Sequence, residues 1–172
     1  MADPLAAAVV EQLRQRGLTL ATAETDTGGL IGSLITDVPG CSVAYRGSIV
    51  PYHAKAQHTL LGVPTDTLRN DGSVSEETAL ALARGCRDAL TSDIAISETG
   101  ITGPTGGRAD RPIGTVWLAC VGPDDRVAVE RHVWDNDREG NKARTAQRAL
   151  ELVQEAIADS ASSRDDTSND TE

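Results

Sequence analysis

A three-layer α/β/α sandwich, a single domain around a mixed central sheet, is the fold this sequence predicts, and three patterns predict it. Helical and strand-like periodicities alternate through the first half of the chain, as they do where helices cover both faces of a sheet. Two apolar runs, Ile113 to Val121 and Val127 to Val133, flank the turn Gly122-Pro123-Asp124-Asp125, which reads as a β-hairpin and makes the sheet mixed. The 172 residues suffice for one core, and no repeat or linker divides them.

Each element has its own signal. Asp3-Pro4 ahead of Leu5, Val9, Val10 and Leu13 marks a capped amphipathic helix, and Gly17 stops it. Leu18 to Ala23 alternates like a strand and runs through Thr25-Asp26-Thr27-Gly28-Gly29 into a helix over Gly29 to Thr36, which Val38-Pro39-Gly40 ends. Ile49 to Tyr52 is strand-like, and Pro51 confines it to an edge or an end of the sheet. A short helix over Ala54 to Leu61 and a turn-rich connection from Val63 to Gly72 follow. Ser75-Glu76-Glu77 then opens a helix with a hydroxyl cap and an acidic first turn. Asp93 to Ser97 reads as a buried strand, and Arg138 to Ala158 as the last helix, with Ala146, Leu150, Val153 and Ile157 at helical spacing. The domain is therefore expected over 1–158, and 159–172, rich in Ser, Asp and Thr, as a disordered acidic tail.

Charge and composition narrow the function classes. With 26 acidic against 16 basic residues the formal charge is -10, so a phosphate backbone would be repelled and no nucleic-acid partner is expected. Lysine occurs only at Lys55 and Lys142, and phenylalanine is absent. That composition suits either a salt-adapted, halophilic protein or an ordinary mildly acidic one. Cys41, Cys86 and Cys120 form no C-x-x-C pair, so neither a disulfide framework nor a zinc site is expected, and no cofactor is implied. Met1-Ala-Asp-Pro4 is not a basic-then-apolar leader, and no apolar run approaches the ~20 residues that span a bilayer. The expectation is a cytoplasmic, soluble protein without a membrane partner.

Ligands of open α/β sheets collect beyond the carboxyl ends of strands, and two loops qualify. At the first, Gly28 and Gly29 present bare backbone at a helix start, while the Thr25 and Thr27 hydroxyls suit a cap or a phosphate oxygen. The second runs Thr99-Gly100-Ile101-Thr102-Gly103-Pro104-Thr105-Gly106-Gly107. In it Thr102 and Thr105 offer hydroxyls, and Gly103, Gly106 and Gly107 open the backbone to an anion. Either loop alone is also what an ordinary surface turn looks like, whereas two in one domain favour a nucleotide or phosphate ester. Arg138, Lys142 and Arg144 add cations at the start of the last helix, as a solvated helix face also would.

In order along the chain, residues 21–29 (ATAETDTGG), 39–52 (PGCSVAYRGSIVPY), 61–63 (LGV), 72–77 (GSVSEE), 99–107 (TGITGPTGG) and 112–118 (PIGTVWL) resemble the CinA C-terminal family. That family is also known as nicotinamide-nucleotide amidase or competence/damage-inducible protein. The resemblance implies a three-layer domain that self-associates as a homodimer or higher homo-oligomer. It implies hydrolysis of the carboxamide of nicotinamide mononucleotide, to nicotinate mononucleotide and ammonia, without a metal. It further implies a serine nucleophile just after a Pro-Gly turn, here Ser42, and a Y-x-x-x-x-K pair. Tyr52 supplies the tyrosine, but Gln57 stands where the lysine should be.

A neutral amide accepts no proton near physiological pH, so Gln57 can orient a group but cannot serve as the base. Lys55 is two positions away, ~200° round a helix. His53 shares a helical face with Gln57 and is the candidate substitute base, unless it simply faces solvent at a helix start. The family turn A-E-S-C-T-G-G reads A-E-T-D-T-G-G here, so an inward-pointing Asp26 would set a negative charge against a bound phosphate. Two functions follow: an amidase acting on nicotinamide mononucleotide, or a non-catalytic nucleotide-binding homologue that lost the general-base lysine. Both need the turn at Thr27, Ser42 and the loop at Thr105 to line one pocket.

Overall fold

In the computed structural model, which describes the backbone of residues 1–165 and the side chains of residues 1–160, five strands form one sheet between two helical layers. The strands are β1 (Leu20–Glu24), β2 (Tyr45–Ile49), β3 (Ile94–Gly100), β4 (Thr115–Val121) and β5 (Val127–Val133), in the spatial order β2-β1-β3-β4-β5. β1 runs parallel to both β2 and β3, and β4 pairs antiparallel with β3 and β5. The sheet is therefore mixed, with the expected hairpin at one edge.

Alternation along the strands sends Leu20, Ile94, Ile96, Val116 and Leu118 to one face, where α1 (Pro4–Arg16), α2 (Leu30–Thr36) and α6 (Arg138–Asp165) bury them. The other face carries Ala21, Ala23, Ala95 and Ala119, whose small side chains let α5 (Glu76–Leu90) lie close to the sheet. α3 (Ala54–Leu61) packs outside α5 so closely that a Cβ on Gly85 would strike the Leu61 carbonyl oxygen.

The caps formed as their residues dictate. Asp3 Oδ1 accepts from the amides of Leu5 and Ala6 at 2.9 Å, and Gly17 closes α1 in the left-handed conformation. Ser75 accepts from the Thr78 amide to start α5. β3 runs on through Thr99 and Gly100, expected in the second loop, the other strand ends shift by at most two residues, and three further differences are larger. β2 begins at Tyr45 and ends at Ile49, so the expected strand Ile49 to Tyr52 falls mostly beyond it, and Pro51 lies past the end of this edge strand. Within the expected turn-rich connection, Thr65–Asn70 forms a short helix, α4, behind Pro64. The last helix runs to Asp165 rather than Ala158, so the first seven residues of the expected tail are helical, and residues 166–172 lie outside the described residues. Among the described residues no helix is long and apolar enough to cross a membrane.

Candidate functional site

β1, β2 and β3 end on the same edge of the sheet, and the turn from Thr25 to Gly29 crosses it. The last residue of β1, Glu24, is fully buried. Its Oε1 accepts from the Gly32 amide at 2.9 Å and the Ser48 hydroxyl at 3.0 Å, and its Oε2 from the Ile31 amide at 2.9 Å. The anion that the start of α2 was expected to hold is thus this internal carboxylate. Glu98, beside Glu24 on β3, plays the same part for the turn, accepting from the amides of Thr25 at 2.6 Å and Thr27 at 2.9 Å. The Thr25 hydroxyl donates to the Glu98 carbonyl at 3.2 Å. Both threonine hydroxyls are thereby spent inside the protein instead of facing a ligand.

Thr27 Oγ1 lies 2.8 Å from Glu24 Oε2 and 2.8 Å from Glu98 Oε1. A hydroxyl has one hydrogen to give, so the second contact is a hydrogen bond only when a carboxyl carries a proton. Burial first and the nearby Asp26 charge second push the Glu98 carboxyl up to about 7.

Asp26 does point inward. Its Oδ2 accepts from the Thr102 amide at 2.9 Å, joining the turn to the second glycine-rich loop. Burial lifts its carboxyl to about 6 against the opposing pull of that amide and of Arg138 and Lys142. The loop is held from its other side by the start of α6. Arg138 donates to the Gly103 carbonyl at 2.6 Å and Asn141 Nδ2 to the Thr102 carbonyl at 3.1 Å. The Lys142 ammonium lies over Gly28, 3.8 Å from where a Cβ there would stand. Thr102 and Gly103 are buried in this junction, with the Thr102 hydroxyl as well as its amide near Asp26. Thr105, Gly106 and Gly107 are exposed further along the loop.

Ser42 is exposed in the short 3-10 turn Cys41–Val43, which the left-handed Gly40 introduces. With Gly29, Gly32, Tyr45 and Ser48 it lines an open cleft of about 390 Å³. Gly106 lines a different cleft, of about 400 Å³, with Arg69, Ser73, Arg108 and Arg111. The two share no residue and Thr27 is buried, so the expectation that Thr27, Ser42 and the loop at Thr105 line one pocket is not met: Gly29 of the opening turn borders the Ser42 cleft, the exposed end of the glycine loop opens into the other, and a reading of function rests on the Ser42 cleft alone.

The remaining candidates are dispersed. Tyr52 is 63% exposed. His53 caps α3, its Nδ1 accepting from the Lys55 amide at 3.1 Å, so in this arrangement the neutral ring carries its hydrogen on Nε2. That geometry speaks against His53 as the base. Gln57 is buried inside α3 with its Oε1 unpaired. Among the described residues no titratable side chain is hydrogen-bonded to Ser42, and no cluster of His, Cys, Asp or Glu is placed to hold a metal.

Residues 2–157 match the family model described as the CinA C-terminal domain. The chain belongs to this family. CinA-like proteins of Salinibacter ruber and Chlorobaculum tepidum are 44% and 46% identical to it, over 90% and 83% of the chain. A putative competence-damage inducible protein of Halothermothrix orenii is 42% identical over 80% of the chain. The chain spans about a third of the length of these relatives, 37%, 34% and 33% respectively. The crystal structure of the competence/damage inducible protein CihA from Agrobacterium tumefaciens superimposes with a TM-score of 0.86 at 35% identity, covering 88% of this chain and 93% of that one. A CinA superfamily protein from Klebsiella pneumoniae gives 0.85 at 29% identity, covering 90% and 96%. The three-layer sandwich is thus the CinA architecture.

For a CinA domain, the residues that sequence reasoning passed over are Glu24 and Glu98. An acidic residue at or near the end of an otherwise buried strand was the available signal for both, since nothing in a core strand accepts a carboxylate without a dedicated set of donors.

Proposed function

We propose that this CinA domain is an amidase acting on nicotinamide mononucleotide, releasing nicotinate mononucleotide and ammonia. The observation that carries the reading is Ser42, whose hydroxyl is exposed, free of internal hydrogen bonds among the described residues and set on the cleft that the opening turn borders. In that chemistry Ser42 Oγ attacks the carboxamide carbon, its proton passes to a base, ammonia leaves, and water releases the acid from the acyl-serine. Gln57 supplies no basic site, and His53 Nδ1 accepts from the Lys55 amide in the α3 cap, which favours a base other than these two. Tyr52, exposed just past β2, is the proton relay of this reading. The domain is taken to work as a homo-oligomer in the cytoplasm, and light scattering on the purified protein tests the first of these.

A second reading, a nucleotide-binding homologue without turnover, is favoured by the neutral Gln57 side chain. Ammonia release from nicotinamide mononucleotide separates the two. Turnover that disappears in Ser42→Ala supports the amidase, and no turnover above that variant, with saturable binding heat, leaves the binding protein.

A further inference from the structure

The cleft at Gly106 is electrically unlike the rest of the molecule. Acidic residues outnumber basic ones 26 to 16 in the chain, yet this cleft is lined by three arginines, Arg69, Arg108 and Arg111, and by no acidic side chain. We infer that it is a binding site for a phosphomonoester group, distinct from the Ser42 cleft and from the cations at the start of α6.

The three arginines differ in how firmly they are engaged. Arg111 is fixed: one nitrogen, Nη1, donates to the Asp71 carbonyl at 3.0 Å and the Val74 carbonyl at 2.9 Å, so the guanidinium braces the segment between α4 and α5. Carbonyls satisfy its hydrogens without cancelling its charge. Its one carboxylate partner, Asp110, is 67% exposed at 3.2 Å. Arg69 is paired with Asp66 at 3.0 Å, both about three-quarters exposed, a contact that contributes little and is readily exchanged. Arg108 makes no side-chain hydrogen bond or ion pair among the described residues, while its backbone closes a small loop with Arg111. A braced cation, an exchangeable one and one that is only electrostatically coupled to the exposed Asp110 therefore meet at a space of about 400 Å³. Guanidinium groups present paired donors that match phosphate oxygens, and several together outcompete solvent where one does not. The backbone of Gly72 comes close because it lacks a Cβ, which would stand 2.9 Å from Arg111 Nη1. Ile101 and Val74 add an apolar patch to the wall, enough to lie against part of an attached ring or sugar.

The test follows the phosphorus line width of inorganic phosphate and of adenosine monophosphate on titration with three proteins, each shown folded by circular dichroism. They are the wild type, Arg69→Gln/Arg108→Gln, and Arg138→Gln/Lys142→Gln; Arg111 is left in place because it braces a loop. Saturable broadening is expected in the wild type and in the α6 variant, with a loss of about ten-fold or more in affinity in the cleft variant. Tighter binding of the nucleotide than of inorganic phosphate identifies a phosphorylated metabolite as the occupant, and equal binding identifies free phosphate. An affinity unchanged in the cleft variant, or no saturable broadening in the wild type, overturns the inference. Because no step depends on Ser42, a failure of the amidase reading leaves this result standing.

Discussion

Glu24 and Glu98 lie side by side across the β1–β3 ladder, both fully buried and both within 2.8 Å of the one hydroxyl of Thr27. Two adjacent carboxylates without water cannot both stay charged at little cost, so the pair is stable when it keeps a proton.

The sign of the resulting pH dependence is fixed by Glu98. Its carboxyl is raised from 4.5 to about 7, so the folded protein holds a proton that the unfolded chain releases across that window, and stability falls as pH rises through it. Asp26, raised to about 6, adds a dependence of the same sign over the lower part. Urea unfolding midpoints are expected to drop between about pH 5 and about pH 8, and Glu98→Gln, which cannot ionise, is expected to flatten much of that slope. A midpoint that climbs over the same range would falsify the shared-proton account.

Gly85→Ala is expected to destabilise, although alanine in a helix ordinarily gains ~0.5–1 kcal/mol over glycine. The added methyl meets the Leu61 carbonyl oxygen, a backbone atom that cannot swing aside, and overpacking of that kind costs ~1–3 kcal/mol. A thermal melt that shifts downward by several degrees is the expected reading, and an unchanged or higher midpoint would show that α3 yields.

Restoring a lysine by Gln57→Lys places an amine where the amide is now buried. Desolvation lowers an amine's pKa, so the group would be partly neutral near physiological pH and able to take a proton. Ammonia release from nicotinamide mononucleotide is expected to rise, with an apparent pKa of activity below the ordinary ~10.4 of lysine, while the urea midpoint drops. Unaltered turnover would locate the defect away from position 57.

A chain with this excess of acid repels itself in dilute buffer. Added potassium chloride screens that repulsion, so the melting temperature is expected to climb between about 0.1 M and about 1 M salt, where the Debye length shrinks from ~10 Å to ~3 Å. A melting temperature that does not respond to salt would assign the acidic composition to something other than salt adaptation.

The parts legible in the sequence were those specified locally. Asp3, Gly17 and Ser75 each act on backbone groups within a few residues, and each stands where its type predicts. β2 was displaced because on an edge strand only Tyr45, Gly47 and Ile49 are half-buried, which leaves less hydrophobic contrast than the Val50-Pro51 just beyond it. α4 has six residues, too few to show a period. The site was hardest to read, because the partners of Thr25, Thr27 and Asp26 lie more than seventy residues away, on β3 and its loop. A threonine that will hold a ligand and one that will hold a buried glutamate look the same until the register of two strands is known.

Arg138 and Asn141 grip the carbonyls of Gly103 and Thr102, so the segment beyond β3 acquires its shape from an element made some thirty-five residues later. A nascent chain still lacking α6 would emerge from the ribosome with that junction open, and a protease cut between Val133 and Arg138 would loosen it without touching the sheet.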